Sequence, residues 1–207
     1  PLAPGAALAL SSDLTSLAFR AKALVDAASG ANSRGLPANL MWEQAWAAAQ
    51  TAPDASAALA LAIAQIASHW HGSGDARAGE AWAQALDALR VEPSRLERID
   101  ASVLIATLMA PSQPDEAQLL LDEARRLVGD LEVGRAQGQA LSRIAGAQME
   151  LDEDRACRLL ANLRRAGRDS FLDGVARIVP AAARLGGTRL IAQLATSLEE
   201  AQGFFSD

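Results

Sequence analysis

The sequence has one cysteine, no tyrosine and a single lysine, and aromatic residues make up only 4% of its 207 positions. Each shortage excludes something. Cys157 has no second thiol with which to close an intramolecular disulfide or form half of a zinc pair. The fold therefore needs neither oxidation nor structural metal, no cofactor is expected, and a reducing cytoplasm is the expected compartment. Aromatic and β-branched residues, which strands favour, are scarce, and this argues against an all-β or doubly wound fold. The balance of charge is acidic, with a net charge of −6 and a pI near 5.0, so neither nucleic acid nor an anionic membrane is an expected partner. All basic residues but Lys22 and the two histidines are Arg, which points to a GC-rich, bacterial genome. P-loop, EF-hand, DDxxD and GxSxG patterns are all missing, so no catalytic residue is assigned and a non-enzymatic protein is expected.

What is present favours helices. Half of the residues are apolar, 21% are charged, and roughly a quarter are Ala with Leu next, so the chain has enough apolar surface to fold. Residues 1–12, PLAPGAALALSS, are expected to form a flexible leader ahead of one helical domain over 13–207. The uncharged run from Ala55 to Gly74 is mostly Ala and ends in Ser68, His69, Trp70 and His71, the pattern of a buried helix. Gly- and Pro-containing breakers recur along the chain, and between them large apolar residues follow a 3.6 period: Leu59, Ile63, Ile66 and Trp70; Leu141, Ile144 and Leu151; Phe171, Val175 and Ile178. Ser94 and Asp169 stand where N-caps belong, Glu97 completes a capping box, and Pro37 suits a first helical turn. About ten helices result. Pro180 falls inside an apolar stripe, where it is expected to kink the helix or begin a new one.

The helices pair into hairpins and the hairpins recur. First helices are expected near Asp13, Asp54, Ser94, Gly134 and Asp169. Second helices share a motif: Ala117, Leu120, Leu121 and Ala124; Ala156, Leu159, Leu160 and Leu163; and Trp82, Ala85, Leu86 and Leu89 as a variant. Trp42 anticipates Trp82 in the preceding unit. On these residues, and best over ALSRIAGAQMELDEDRACRLLANL, the chain resembles the tetratricopeptide-like helical-hairpin repeats in a degenerate form. Gln148 replaces the family's usual aromatic, and unit length departs from the family's about 34 residues, which leaves HEAT- or armadillo-like packing open. The resemblance implies an all-α, right-handed α-solenoid of about five antiparallel hairpins whose groove binds a protein or peptide partner. A compact multi-helix bundle is the alternative.

Three clusters invite a chemical reading. His69, His71 and Asp75 in HWHGSGD superficially suggest metal ligands, but the two histidines point about 200° apart on a helix, unlike a metal pair, and suit a helix C-terminus capped by Gly72. In ELDEDR, Asp152, Glu153 and Asp154 are expected to complement a helix N-terminus. Arg155, Arg158 and Arg165 lie on one side of a helix and are candidate anion contacts, although nearby carboxylates are expected to pair with them. Cys157, inside the repeat motif, is expected to be a buried, unreactive thiol.

Charge is unevenly spread. Between Ala31 and Gly74 only Arg34, Glu43 and Asp54 are charged, and three of the four Trp lie there. A covered surface is expected, with Trp42 and Trp46 as partner-binding anchors for another protein or for self-association through the N-terminal helices. The alternatives are that these helices are central and their Trp core, or that Trp42, Trp46, His69, Trp70 and His71 line an apolar pocket in a helical ligand-binding protein or enzyme.

Overall fold

The computed structural model describes residues 16–53, 55–132, 134–163 and 168–184, together with positions 192, 195 and 196. Among them are nine helices: α1 (Leu17–Asn32), α2 (Asn39–Gln50), α3 (Ala57–Ser73), α4 (Ala78–Arg90), α5 (Arg95–Met109), α6 (Pro114–Gly129), α7 (Arg135–Gln148), α8 (Glu153–Leu163) and α9 (Arg168–Arg184). No strand occurs among the described residues, so the all-α expectation holds. The chain divides into two compact units, Pro1–Ala101 and Ser102–Asp207, with the boundary inside α5. The expected leader, the start near Asp13 and Asp54 itself lie outside the described residues.

In the first unit, α1 packs on α2 and α3, and α3 packs on α2 and α4. α3 is the centre of this unit. It buries Leu59, Ala60, Ala62, Ile63, Ala64, Ile66, Ala67 and Trp70, most of its circumference, so a charged face would have had nowhere to go. The low charge of the Ala55–Gly74 run is thus accounted for within the unit, because small Ala side chains let three helices approach one axis.

Helices forty residues apart bury corresponding positions. Trp42, Ala45 and Ala49 of α2 are buried as are Trp82, Ala85 and Leu89 of α4, while Trp46 and Leu86 are both half-buried. In the same way Ala21, Leu24, Val25, Ala28 and Ala31 of α1 correspond to Ala60, Ile63, Ala64, Ala67 and Trp70 of α3. The helix ends match too. Gly35 and Gly74 take left-handed φ values of 69° and 75°, and beyond them Leu36 N–H and Asp75 N–H donate back to Ala31 O and Trp70 O at 3.0 and 2.9 Å. The left-handed cap of α3 is therefore Gly74 and not Gly72, since the helix continues through Ser73.

Starts are set by side-chain caps. Ser56 Oγ accepts from Leu59 N–H at 3.2 Å, and Ser94 Oγ accepts from Glu97 N–H at 3.4 Å. Between them lies Glu92, only 6% exposed. Its Oε2 accepts from Ala57 N–H in the first turn of α3 at 2.7 Å, and its Oε1 accepts from Ser94 N–H at 2.8 Å. One carboxylate thus ties the start of α3 to the start of α5. Pro37 falls just before α2, whose N-cap is Ala38, so it lies outside the first turn.

In the second unit α7 is the packing centre, in contact with α6, α8 and α9. The second-helix motif faces inward: Ala117, Leu120, Leu121 and Ala124 of α6 are buried, as are Ala156, Leu159 and Leu163 of α8. α7 approaches α9 through small residues. Ser142 Oγ, fully buried, lies 2.9 Å from Gly138 O and 3.3 Å from Ser170 O, and a Cβ built on Gly146 would sit 3.2 Å from Arg177 Cβ. Gln118 and Gln148 exchange amide hydrogen bonds between α6 and α7, which satisfies the polar end of the buried Gln148 side chain. Asp169 lies within the first turn of α9 and is not its cap. α9 runs through Pro180 as one helix, with the proline exposed and Ile178 and Ala182 buried.

Candidate functional site

The densest group of unusual side chains in the first unit gathers where α2 meets the last turns of α3. Trp42 and Trp46 stand one turn apart on α2, and His69 and Trp70 are adjacent on α3. The Trp42 indole stacks on His69, with ring centroids 4.3 Å apart and planes 11° from parallel. Trp46 meets Trp70 edge to face at 5.0 Å. The Arg77 guanidinium lies 4.0 Å above the Trp70 ring.

Arg77 is also the hub of an ion network. Its two terminal nitrogens donate to both Glu43 oxygens at 2.9 and 2.7 Å, and its Nε and Nη2 donate to Asp75 at 3.1 and 2.7 Å. Asp75 Oδ1 accepts from Arg77 N–H at 2.9 Å, so the turn after α3 orients the side chain that seals the aromatic cluster. These hydrogen bonds from Arg77 bring the Asp75 carboxyl down to about 2 and lower that of Glu43, while the two carboxylates raise the guanidinium further above its ordinary range. Sequence reading missed this network. Glu43 was visible only as an isolated charge, Asp75 was grouped with the two histidines, and Arg77 was not singled out, because the pairing depends on how α2 meets the end of α3.

Of the residues expected here, four come together and one does not. Trp42 is 4% exposed, so it is a core residue and not an exposed anchor; its stacking on His69 consumes the ring face a partner would need. Its indole Nε1 is buried without a hydrogen-bond partner among the described residues, as is that of Trp82. Trp46 is half-buried. His69 is half-buried, and its Nδ1 faces Asn32 Nδ2 at 3.4 Å. With the amide donating, the neutral imidazole carries its proton on Nε2. Burial pushes the His69 pKa down, which favours that neutral form. His71 is exposed on another side of α3 and joins no ring contact of this cluster.

The second unit holds a cleft of about 310 Å³ between α6 and α8, lined by Asp122, Arg125, Arg155, Arg158, Leu159 and Asn162. Helical spacing builds it: Asp122 and Arg125 are one turn apart on α6, and Arg155, Arg158, Leu159 and Asn162 form a single stripe along α8. Arg155 bridges the walls, with Nη1 3.2 Å from Asp122 Oδ2 and Nε 3.2 Å from Asp152 Oδ2. Asp152 also accepts from Arg155 N–H at 2.9 Å, and Glu153 and Asp154 occupy the first turn of α8, so the acidic run caps this helix. Arg165 lies outside the described residues. Asp122, Arg125 and Asn162 were not read from the sequence, since nothing in the chain alone says which face of α6 meets α8.

Cys157 is half-buried beside this stripe. Burial first, then the nearby Glu153 and Asp154 carboxylates, raise the pKa of its thiol, which keeps it protonated and weakly nucleophilic at neutral pH. No helix among the described residues is long and apolar enough to cross a membrane.

No family model and no curated protein matches the sequence. A solved structure does. The chain is similar to Ton1535 from Thermococcus onnurineus NA1. The likeness covers 94% of this chain and 53% of that one, with a TM-score of 0.54 at 17% identity. This chain thus spans about half the length of that protein, and at such identity what the two share is the fold.

Proposed function

We propose that this chain is a non-enzymatic interaction module that binds a protein or peptide partner through stacked helical hairpins. The observation that supports this reading is the recurrence of corresponding buried positions and caps in successive hairpins: Trp42 with Trp82, Ala45 with Ala85, Gly35 with Gly74. A hairpin that buries one face by stacking leaves its other face available, and arrays of such units present extended surfaces to partners. The finer form of the proposal is a right-handed, tetratricopeptide-like solenoid of about five hairpins, working in a reducing bacterial cytoplasm. Trp46, the half-buried aromatic of α2, remains the anchor for a partner or a second copy. An apolar ligand pocket at the same place is the weaker reading, because Trp42, His69, Trp46 and Trp70 spend their faces on one another.

The test is capture on the immobilised full chain, followed by reconstitution with the purified captured protein. A stoichiometric complex with a dissociation constant on the order of micromolar or tighter supports the proposal. A chain that forms no complex but turns over a small substrate overturns it.

A further inference from the structure

We infer that the cleft between α6 and α8 holds an acidic segment of a partner protein, taking carboxylate side chains on Arg125 and Arg158. This rests on the interaction-module reading and supplies the chemistry of the partner.

The cleft walls carry three guanidiniums and one carboxylate. Arg155 is committed, since it is shared between Asp122 and Asp152 at 3.2 Å each. The other two are available. Arg125 stands 3.8 Å from Asp122, beyond hydrogen-bond length, and its side chain is 56% exposed. Arg158 is exposed and forms no ion pair among the described residues. The result is a cationic lip on each wall, with Asn162 one turn on from Arg158. Planar guanidinium forks match carboxylates in two parallel hydrogen bonds.

The arrangement favours carboxylates spaced along a chain over one compact anion. Asp122 is half-buried in the cleft wall and would repel a phosphate dianion drawn in between the arginines. Carboxylates on successive residues avoid this, because one is taken by each lip. The Asn162 amide then suits a peptide carbonyl or N–H. A volume of about 310 Å³ also lies at the lower limit for pockets that enclose small ligands, and is ample for a few side chains laid across an open cleft.

The experiment titrates the full chain with a hexaglutamate peptide at pH 7 and low salt, with inorganic phosphate in a parallel arm, and repeats it with Arg125→Gln, Arg158→Gln and the double variant. Both arginines are exposed, so the melting temperature reports whether each variant remains folded. The expected result is hexaglutamate binding that falls with added salt and weakens about tenfold or more in the folded double variant, with phosphate unable to displace the peptide. Equal binding by wild type and double variant, or no binding, overturns the inference. Tighter binding of phosphate, with displacement of the peptide, overturns it in favour of a free anion. If the double variant still forms the stoichiometric complex of the capture experiment, the cleft assignment falls while the interaction module stands. If hexaglutamate binds as expected but the full chain forms no protein complex, it is the module reading that fails.

Discussion

Replacing Glu92 tests how the first unit is held together. The carboxylate is 6% exposed and satisfies two backbone donors, Ala57 N–H and Ser94 N–H, at 2.7 and 2.8 Å. Each bond to a charged acceptor contributes about 1.5 to 3 kcal/mol net, and the positive end of α3 adds to the first. Glu92→Ala removes both and leaves two donors at a part-buried junction, where water recovers some of the loss. The expected cost is about 2 to 4 kcal/mol, and at about 2 to 4 °C per kcal/mol for a chain of this size the melting temperature should drop by roughly 4 to 16 °C. Glu92→Gln retains one acceptor oxygen but turns an amide N–H toward the other donor, so about half of that loss is expected. Urea and thermal unfolding, followed by circular dichroism, provide the readout. A Glu92→Ala loss below about 0.5 kcal/mol would refute the reasoning, because it would mean that solvent replaces both bonds at no cost.

Trp42→Ala should cost about 3 to 5 kcal/mol in unfolding experiments, the range for truncating a buried aromatic, whereas Trp42→Phe should cost much less because it also removes an indole N–H without a partner among the described residues. An unchanged melting point with weakened association would return Trp42 to the surface. His69 should titrate below 6.5, since burial lowers its pKa in the folded state. The unfolded chain then binds the proton more readily, so the stability from the neutral ring is complete above 6.5 and is lost as pH falls from there toward the lowered folded value. Proton NMR of the ring and melting curves across pH 5 to 7 check this, and a midpoint above 6.5 would mean that attraction of the imidazolium to the Trp42 face outweighs desolvation. Gly146→Val should destabilise the protein by about 1 to 3 kcal/mol, because Arg177 Cβ leaves no room beyond the first carbon, and urea unfolding measures it.

The helical plan was legible because its signals are local. First helices expected near residues 54, 94, 134 and 169 begin at Ala57, Arg95, Arg135 and Arg168, each close to a breaker. Even there the last turn of α3 passed Gly72, since a helix can absorb one glycine and Gly74 offered the better stop. The side of α2 that Trp42 faces was ambiguous in the sequence: four-residue spacing puts Trp42 and Trp46 on one face without saying whether that face is covered. The answer came from His69, whose ring lies over Trp42 across a separation of 27 residues. The cleft was half legible. Arg155 and Arg158 announce a stripe by their spacing on one helix, but Asp122 and Arg125 join it only through tertiary pairing of α6 and α8.

The small residues that bring α7 against α9 fix more than a distance. Gly138, Ser142 and Gly146 recur every fourth residue, and the Arg177 Cβ seats against Gly146, where α7 has no side chain. Sliding α9 by one turn, about 5.4 Å, would bring it from a glycine to the Ser142 side chain and pull Ser170 O away from that hydroxyl. The contact therefore works as a key in its slot: the two helices are free to part and re-seat, but a shift along their length must first lift one out of the other.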